Sequence, residues 1–174
     1  MRPARLRFCA AALALAGLAG CLTVERVDAA ADVRALLIAI RDDDGAAFDA
    51  RVDRPALQRQ LEQRLVAAAQ GPNRDDPVRA LGAMFAGPLA ALAVEALVQP
   101  AVFRAVAEYY GYGPDTPIPP QLAIAQDLKP LPEDRVCATR HHGGPCVLTF
   151  AKQDGVWRLV SFDGDLGLLK PRPR

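Results

Sequence analysis

Apolar positions recur with helical spacing in the stretch that follows residue 27. Val33, Leu36, Leu37 and Ile40 fall at positions i, i+3, i+4 and i+7, which places them on one face of a helix. The pattern predicts an amphipathic helix over residues 28–44. A glycine follows this segment and is expected to end the helix.

A second helix is predicted after Asp53, whose side chain can accept a hydrogen bond from a free backbone N–H group as an N-cap residue. Pro55 falls in the first turn, where a missing N–H group costs nothing. Leu57, Leu61 and Leu65 then recur every four residues and give this helix one apolar face.

A third helix, rich in alanine, is predicted from Asp76-Pro77, which repeats the same cap-and-proline signal. Pro88 lies within this helix and is expected to kink or split it. Pro100 then opens another short helix, which ends at Gly111. The large apolar side chains of the alanine-rich helix are expected to face the core, and they are Leu81, Phe85, Leu89, Leu92 and Leu97.

The spacing of apolar residues changes from helices to strands in the last third of the chain. Residues 113–132 contain six prolines and are expected to cross between the two parts, with one short element at residues 121–128. Strands are predicted over residues 135–139, 146–152 and 156–162.

The last two strands are expected to form a hairpin. Asp154-Gly155 between them is a strong signal for a type I′ turn. Pairing around this turn places Phe150 opposite Leu159 and Lys152 opposite Trp157. The side of the hairpin expected to face the helices carries Cys146, Leu148, Phe150, Trp157 and Leu159.

These elements predict an α+β fold, in which an N-terminal layer of about four helices packs on a C-terminal three-stranded antiparallel sheet. The chain has 174 residues, 51% of them hydrophobic, which suits one globular domain with a buried core. We expect this domain at residues 28–165 and a disordered tail at residues 166–174.

The N-terminus has the organisation of a signal peptide. Arg2, Arg5 and Arg7 give it a positive start, and residues 8–20 are apolar or small with no charge. This run is shorter than the roughly 20 residues that a membrane-spanning helix needs. We therefore expect residues 1–20 to be an export signal.

The segment Leu18-Ala19-Gly20-Cys21 resembles the lipobox of bacterial lipoproteins, in which the chain is cut before the cysteine and the thiol is lipidated. The resemblance implies acyl chains such as palmitate on Cys21 and a short tether over residues 21–27. Leu22 rather than aspartate follows the cysteine, which implies an outer-membrane lipoprotein of the bacterial cell envelope that faces the periplasm. The alternative is an ordinary secretory signal that is cut nearby and leaves Cys21 free.

The net charge is small, with 21 Lys and Arg against 20 Asp and Glu. Three of the arginines belong to residues 1–20, so the remainder is slightly acidic. A nucleic-acid binder would carry a basic surplus or stripe. The expected partners are therefore the membrane, through Cys21, and an envelope protein, and no nucleic acid is expected.

Cys137 and Cys146 remain once the signal is removed and Cys21 carries lipid. Outside the cytosol this pair is expected to form a disulfide across a turn. The alternative is a metal site, because His141 and His142 would add two nitrogens to the two sulfurs of a tetrahedral site. The spacing fits no zinc finger or ribbon, and oxidation would remove both thiolates, so no metal is expected.

Residues suited to catalysis are few. Ser161 is the only serine, and it lies in a predicted strand without the Gly-x-Ser-x-Gly elbow of serine hydrolases. The sequence holds no glycine-rich nucleotide-binding motif, and no cofactor is expected. An unrecognised small enzyme remains an alternative, and it would need paired carboxylates such as Asp163 and Asp165.

A periplasmic small-ligand binder is the other alternative. Its pocket would lie between the helices and the sheet, since such pockets combine apolar walls with a few polar groups. The candidate lining residues are Phe103, Tyr109, Tyr110 and Trp157.

Five segments carry a resemblance to known proteins, and they are Gly45-Ala46-Ala47-Phe48, Val52-Asp53-Arg54-Pro55-Ala56-Leu57, Gly87-Pro88-Leu89, Ala96-Leu97-Val98-Gln99-Pro100 and Asp154-Gly155-Val156-Trp157-Arg158-Leu159. Together they resemble the bacterial proteins grouped as domain of unknown function 2939, across residues 28–165. The resemblance implies no activity and no site residues. The expected function is that of a non-enzymatic envelope lipoprotein that binds a partner or supports assembly at the membrane surface.

Overall fold

The computed structural model describes residues 24–69, 85–109, 111–139 and 144–163. Within these residues the helices precede the strands in the chain, as predicted for an α+β fold. The helices are α1 (24–42), α2 (Gly45–Asp49), α3 (Arg54–Ala69), α4 (Ala86–Leu97), α5 (Pro100–Tyr109) and α6 (Gln121–Asp127). The strands are β1 (Leu128–Leu131), β2 (Arg135–Thr139), β3 (Cys146–Gln153) and β4 (Val156–Phe162).

Helix α1 is already formed at residue 24, four residues before the predicted start, so residues 24–27 of the expected tether are helical. Val33 and Leu36 are buried as predicted, whereas Leu37 is 36% exposed. Three alanines complete the buried side, and they are Ala29, Ala30 and Ala39. Their small size lets α1 lie close to the elements beneath it.

Aspartates begin the next two helices. The backbone N–H of Ala47 donates to Asp44 Oδ1 (3.0 Å) at the start of α2. The N–H of Ala56 donates to Asp53 Oδ1 (2.9 Å) at the start of α3, which confirms the predicted N-cap. Leu57 is buried as expected on the inner face of α3.

The prediction for the alanine-rich helix was wrong about which face is buried. In α4 the large side chains point outward, whereas Ala90 and Val94 are buried. A Cβ added at Gly87 would come within 3.2 Å of Glu62 Oε1 on α3, so α4 approaches α3 closely there. The smaller residues therefore take the inner face, and the exposed ones are Phe85, Leu89, Leu92 and Leu97. Leu81 lies outside the described residues.

The sheet has four antiparallel strands in the order β1-β2-β3-β4, where three were predicted. The added strand is β1, which follows directly on α6 and pairs only with β2 within the described part. Pro130 lies in this strand and cannot donate a backbone hydrogen bond, a defect that an edge strand tolerates. A strand can therefore form in this proline-rich segment, although its composition did not predict one.

The predicted hairpin register is confirmed, since Phe150 pairs with Leu159 and Lys152 with Trp157. Asp154 and Gly155 have φ values of 52° and 81°, as a type I′ turn requires. The register shifts between Thr149 and Phe150, which marks a bulge farther from the turn.

One cluster of buried side chains joins the helices to the sheet. Its largest fully buried members are Trp157, Phe48, Phe150, Leu159 and Val136. A parallel bridge between Val52 and Leu159 fixes the segment between α2 and α3 against β4. The ring of Phe103 on α5 meets that of Phe48 edge-on, with ring centres 5.4 Å apart.

Candidate functional site

The most unusual surface of the described part is the outer face of α4 and α5. Leu89 is 51% exposed and Leu92 is 68% exposed, and Leu97 and Val106 are exposed as well. We call these four residues the α4–α5 face. Helix α4 is apolar on its buried side and also on its exposed side. This composition is typical of a helix that packs against other structure on both sides.

The α4–α5 face carries little charge. Helix α4 contains no lysine or arginine, and Glu95 is its one ionisable residue. Helix α5 carries Glu108, which is exposed, and Arg104, which lies toward the end of α1 with its Nη2 atom 3.6 Å from Asp43 Oδ2. An apolar surface with so little charge suits an apolar partner better than a polar ligand.

No single helix among the described residues is long and apolar enough to cross a membrane. The pair Gly87–Leu97 and Pro100–Tyr109 reaches that length and composition together, with a bend of 71° between its two parts.

A polar cluster ties α1 to the β3–β4 hairpin. Asp28 Oδ2 accepts hydrogen bonds from Lys152 Nζ (2.7 Å) and from the buried indole Nε1 of Trp157 (2.9 Å). One turn later, Asp32 Oδ2 accepts from the backbone N–H of Trp157 (3.0 Å), and Arg51 Nε lies 3.4 Å from Asp32 Oδ1. Both aspartates accept hydrogen bonds from the hairpin, whereas the buried Arg51 Nε makes only the ion pair with Asp32 and no hydrogen bond. The contacts that the cluster makes within the fold indicate a structural role.

The electrostatics of this cluster follow from its hydrogen bonds. The bond from Lys152, and after it the bond from Trp157, hold the pKa of Asp28 below its ordinary value. The same bond to Asp28 raises the pKa of Lys152. The Lys152 ammonium also lies 5.8 Å from the centre of the Trp157 ring.

The carboxylates suggested for catalysis are only partly described. Asp163 Oδ1 accepts from Arg64 Nη2 at 2.6 Å on an exposed surface, and Asp165 lies outside the described residues. The Ser161 hydroxyl accepts from Gln60 Nε2 at 2.7 Å. These contacts join α3 to the end of β4, which is a structural role.

The residues suggested for a ligand pocket lie in different surroundings. Trp157 is buried against α1, Phe103 packs on Phe48, and Tyr109 is 65% exposed. Tyr110 lies outside the described residues. A pocket lined by these aromatic residues stays a prediction.

A shallow, open depression of about 430 Å³ lies elsewhere, on α3. It is lined by Arg59, Glu62, Gln63, Val66 and Ala67. All five residues belong to one helix, so the depression lacks the enclosing walls of a small-molecule site.

The predicted disulfide between Cys137 and Cys146 is present. It joins β2 to β3 and uses both of the thiolates that the alternative metal site would need. His141 and His142 lie outside the described residues. Within the described ranges, no three side chains of the types His, Cys, Asp and Glu group together as a metal site would require.

The comparison with protein families gives a match over residues 9–106, which is more than half of the chain. The matching family is described as protein of unknown function (DUF2939). The chain belongs to this family. The match covers α1 to α4 and the first seven residues of α5 and ends before the sheet, so the hairpin segment that contributed to the resemblance lies outside it. No curated protein and no solved structure shows a significant similarity to the chain.

The outward leucines of α4 and the polar cluster on α1 were not predicted from the sequence. A signal for the cluster existed, since Asp28 and Asp32 are four residues apart and share one side of a helix. Their partners Lys152 and Trp157 come from a hairpin more than 100 residues later, so only the fold brings them together.

Proposed function

We propose that this DUF2939 family member is a non-enzymatic, lipid-anchored envelope protein, whose domain binds a protein partner through the α4–α5 face. The observation that carries the proposal is the exposure of large leucines on α4, above all Leu92 at 68%. Burying apolar surface releases about 25 cal/mol per Å², so a leucine left in water forgoes a favourable contact. Leu89 and Leu92 are three residues apart and share one side of α4. Apolar patches on the surface of a folded domain commonly mark interaction sites.

The charge on the face favours a protein over a lipid surface. Helices that lie in an anionic membrane interface carry lysine and arginine on their polar side. Helix α4 has none, and Glu95 is exposed beside the leucines. A partner with an apolar groove and a basic rim would complement both features.

The lipid anchor rests on the segment Leu18-Ala19-Gly20-Cys21, which has the lipobox pattern. Two or more acyl chains give stable attachment to a membrane. An anchored chain meets its partners at the membrane surface, where its local concentration is high.

Two experiments test the two halves of this proposal. For the anchor, wild-type protein and Cys21→Ser are fractionated and the mass of each N-terminus is measured. We expect a lipidated N-terminal cysteine in the membrane fraction for wild type, and loss of lipid and membrane association for Cys21→Ser. A variant that remains processed and membrane-bound would overturn the anchor.

For the face, a photo-crosslinking amino acid is placed at position 92 in living cells and, as a matched control, at the exposed Gln126 on α6. We expect one discrete protein adduct from position 92, of reproducible mass, and none from position 126. Equal adducts from both positions, no adduct from position 92, or adducts to lipid alone would contradict the proposed partner.

A further inference from the structure

We infer that the end of the domain carrying Val24 and Leu122 rests on the lipid bilayer, so that the membrane fixes the orientation of the whole domain. This inference rests on the proposed lipidation of Cys21. It adds a second contact with the membrane, made by the protein surface itself and separate from the α4–α5 face.

The first step is the length of chain between the lipidated residue and the fold. Only Leu22 and Thr23 separate Cys21 from residue 24, where α1 is already formed. Three residue steps reach at most about 11 Å, even when fully extended. The first turn of α1 must then lie within that distance of the lipidated cysteine.

The second step is the attachment of α1 to the rest of the domain. Gln121 Nε2 on α6 donates to the backbone carbonyl of Val27 (2.6 Å). Asp28 is held by Lys152 and Trp157 from the hairpin. Because α1 is fixed within one turn of its described start, it cannot serve as a loose stalk, and a short tether holds the domain itself close to the membrane.

The third step is the chemistry of the surface at this end. Val24 is 69% exposed and Leu122 is 66% exposed. They lie on either side of the hydrogen bond between Gln121 and Val27, each within about one helical turn of it. Two exposed apolar side chains beside a lipidated residue favour contact with the acyl boundary of the bilayer, because they gain by leaving water there.

The fourth step identifies the opposite end of α1. Residues 24–42 of α1 span about 27 Å at 1.5 Å per residue. Helix α2 begins at Gly45, just beyond the far end of α1, where Arg104 also contacts Asp43. The start of α2 and the Arg104 side chain thus lie about a helix length from the end that we place on the membrane.

The test uses lipidated protein in vesicles of phosphatidylethanolamine and phosphatidylglycerol that contain some nitroxide-labelled lipid. Cys137 and Cys146 are bonded to each other, so a single introduced cysteine carries the fluorescent probe. The positions are Val24→Cys and Leu122→Cys, with Ala46→Cys on α2, just beyond the far end of α1, as the control. All three side chains are exposed, so these variants keep the core intact.

We expect lipid-borne nitroxide to quench the probes at positions 24 and 122 several-fold more strongly than the probe at position 46. Iodide in the surrounding buffer should show the opposite order. Equal quenching at the three positions, or stronger lipid quenching at position 46, would overturn the inferred orientation in protein that stays on the vesicles.

Failure of the proposed anchor gives a different result. Wild-type protein should take up no thiol probe, because Cys9 leaves with the proposed export signal, Cys21 carries lipid, and Cys137 and Cys146 are bonded to each other. Labelling of Cys21 in wild type, or protein that does not float with the vesicles, would contradict the lipidation on which the inference rests.

Discussion

Asp28 shows what a single surface side chain contributes to this fold. It is about half exposed, yet it accepts hydrogen bonds from a buried indole and from a lysine that stands over the same indole ring. An exposed ion pair contributes little stability by itself. The larger contribution comes from the indole N–H, because a buried donor without an acceptor is costly.

Replacing Asp28 should therefore depend on whether an acceptor remains. Asp28→Ala leaves the Trp157 N–H without its partner and should lower the free energy of unfolding by about 1–3 kcal/mol. Asp28→Asn keeps an acceptor oxygen and should lose much less. Urea denaturation of both variants measures this, and equal losses would show that the indole bond is not the main contribution.

Because the pKa of Asp28 is lowered in the folded protein, the stability that this residue contributes should fall as the pH becomes acidic. A carboxyl group whose pKa is lower in the folded state stabilises fully above its unfolded pKa, about 4, and loses this stabilisation as the pH falls through the folded pKa. The difference in unfolding free energy between wild type and Asp28→Asn should thus be greatest near neutral pH and shrink toward pH 2. A difference that grows on acidification would contradict this assignment.

At the scale of elements, α4 shows that apolar periodicity alone does not always predict which face of a helix is buried. Leucines and alanines alternate around this helix, so both of its faces are apolar and spacing alone cannot choose between them. The choice depends on α3, which accepts the small side of α4 at close range near Gly87. That neighbour is known only from the tertiary structure.

Two substitutions on α4 test which face is packed. Val94→Ala removes atoms from a side chain that is 6% exposed and should lower the unfolding free energy by about 2 kcal/mol. Leu92→Gln changes an exposed position and should stay within about 0.5 kcal/mol of the parent protein. Thermal unfolding of anchor-free Cys21→Ser protein measures both, and a large loss for Leu92→Gln would show that the outer face is packed after all.

The cap of α3 was predictable because it is a local arrangement. Asp53 accepts from the Ala56 N–H through one oxygen and from Gln153 Nε2 through the other (2.7 Å). Asp53→Ala should cost about 1–2 kcal/mol of unfolding free energy. Asp115→Ala, at an exposed turn, serves as the control and should change little. Similar effects of the two variants in urea would argue against a capping role.

The same contrast between local and distant signals applies to the sheet. The hairpin and its register followed from Asp154-Gly155 and the alternation beside it, because turn and pairing lie within a few residues. Strand β1 was missed because Pro130 argues against a strand unless its position at the edge is known. Edge position is a property of the assembled sheet.

At the scale of the whole molecule, the family match covers only part of the folded domain that the structure describes. The match ends at residue 106, while the sheet completes the core with Phe150, Trp157 and Leu159. The α+β class was predictable from the change in spacing along the sequence. The candidate interaction face was not, because it depends on which side of α4 the completed core leaves outside.

The disulfide acts on the whole chain, because a cross-link restricts the unfolded state as well as the folded one. Closing the loop between Cys137 and Cys146 should contribute about 2–3 kcal/mol in the chain-entropy view. We expect the double variant Cys137→Ser/Cys146→Ser to unfold at lower urea by that amount. Reduction of the parent protein should reproduce the loss, and an unchanged midpoint in both cases would contradict the estimate.

The same bond would also distinguish molecules on the two sides of the proposed export step. Thiols stay reduced in the cytosol and pair in oxidising compartments, so under that proposal copies caught before and after translocation differ by two hydrogen atoms at Cys137 and Cys146. The redox state of this pair would then report the translocation of each chain, independently of whether lipid has been added to Cys21.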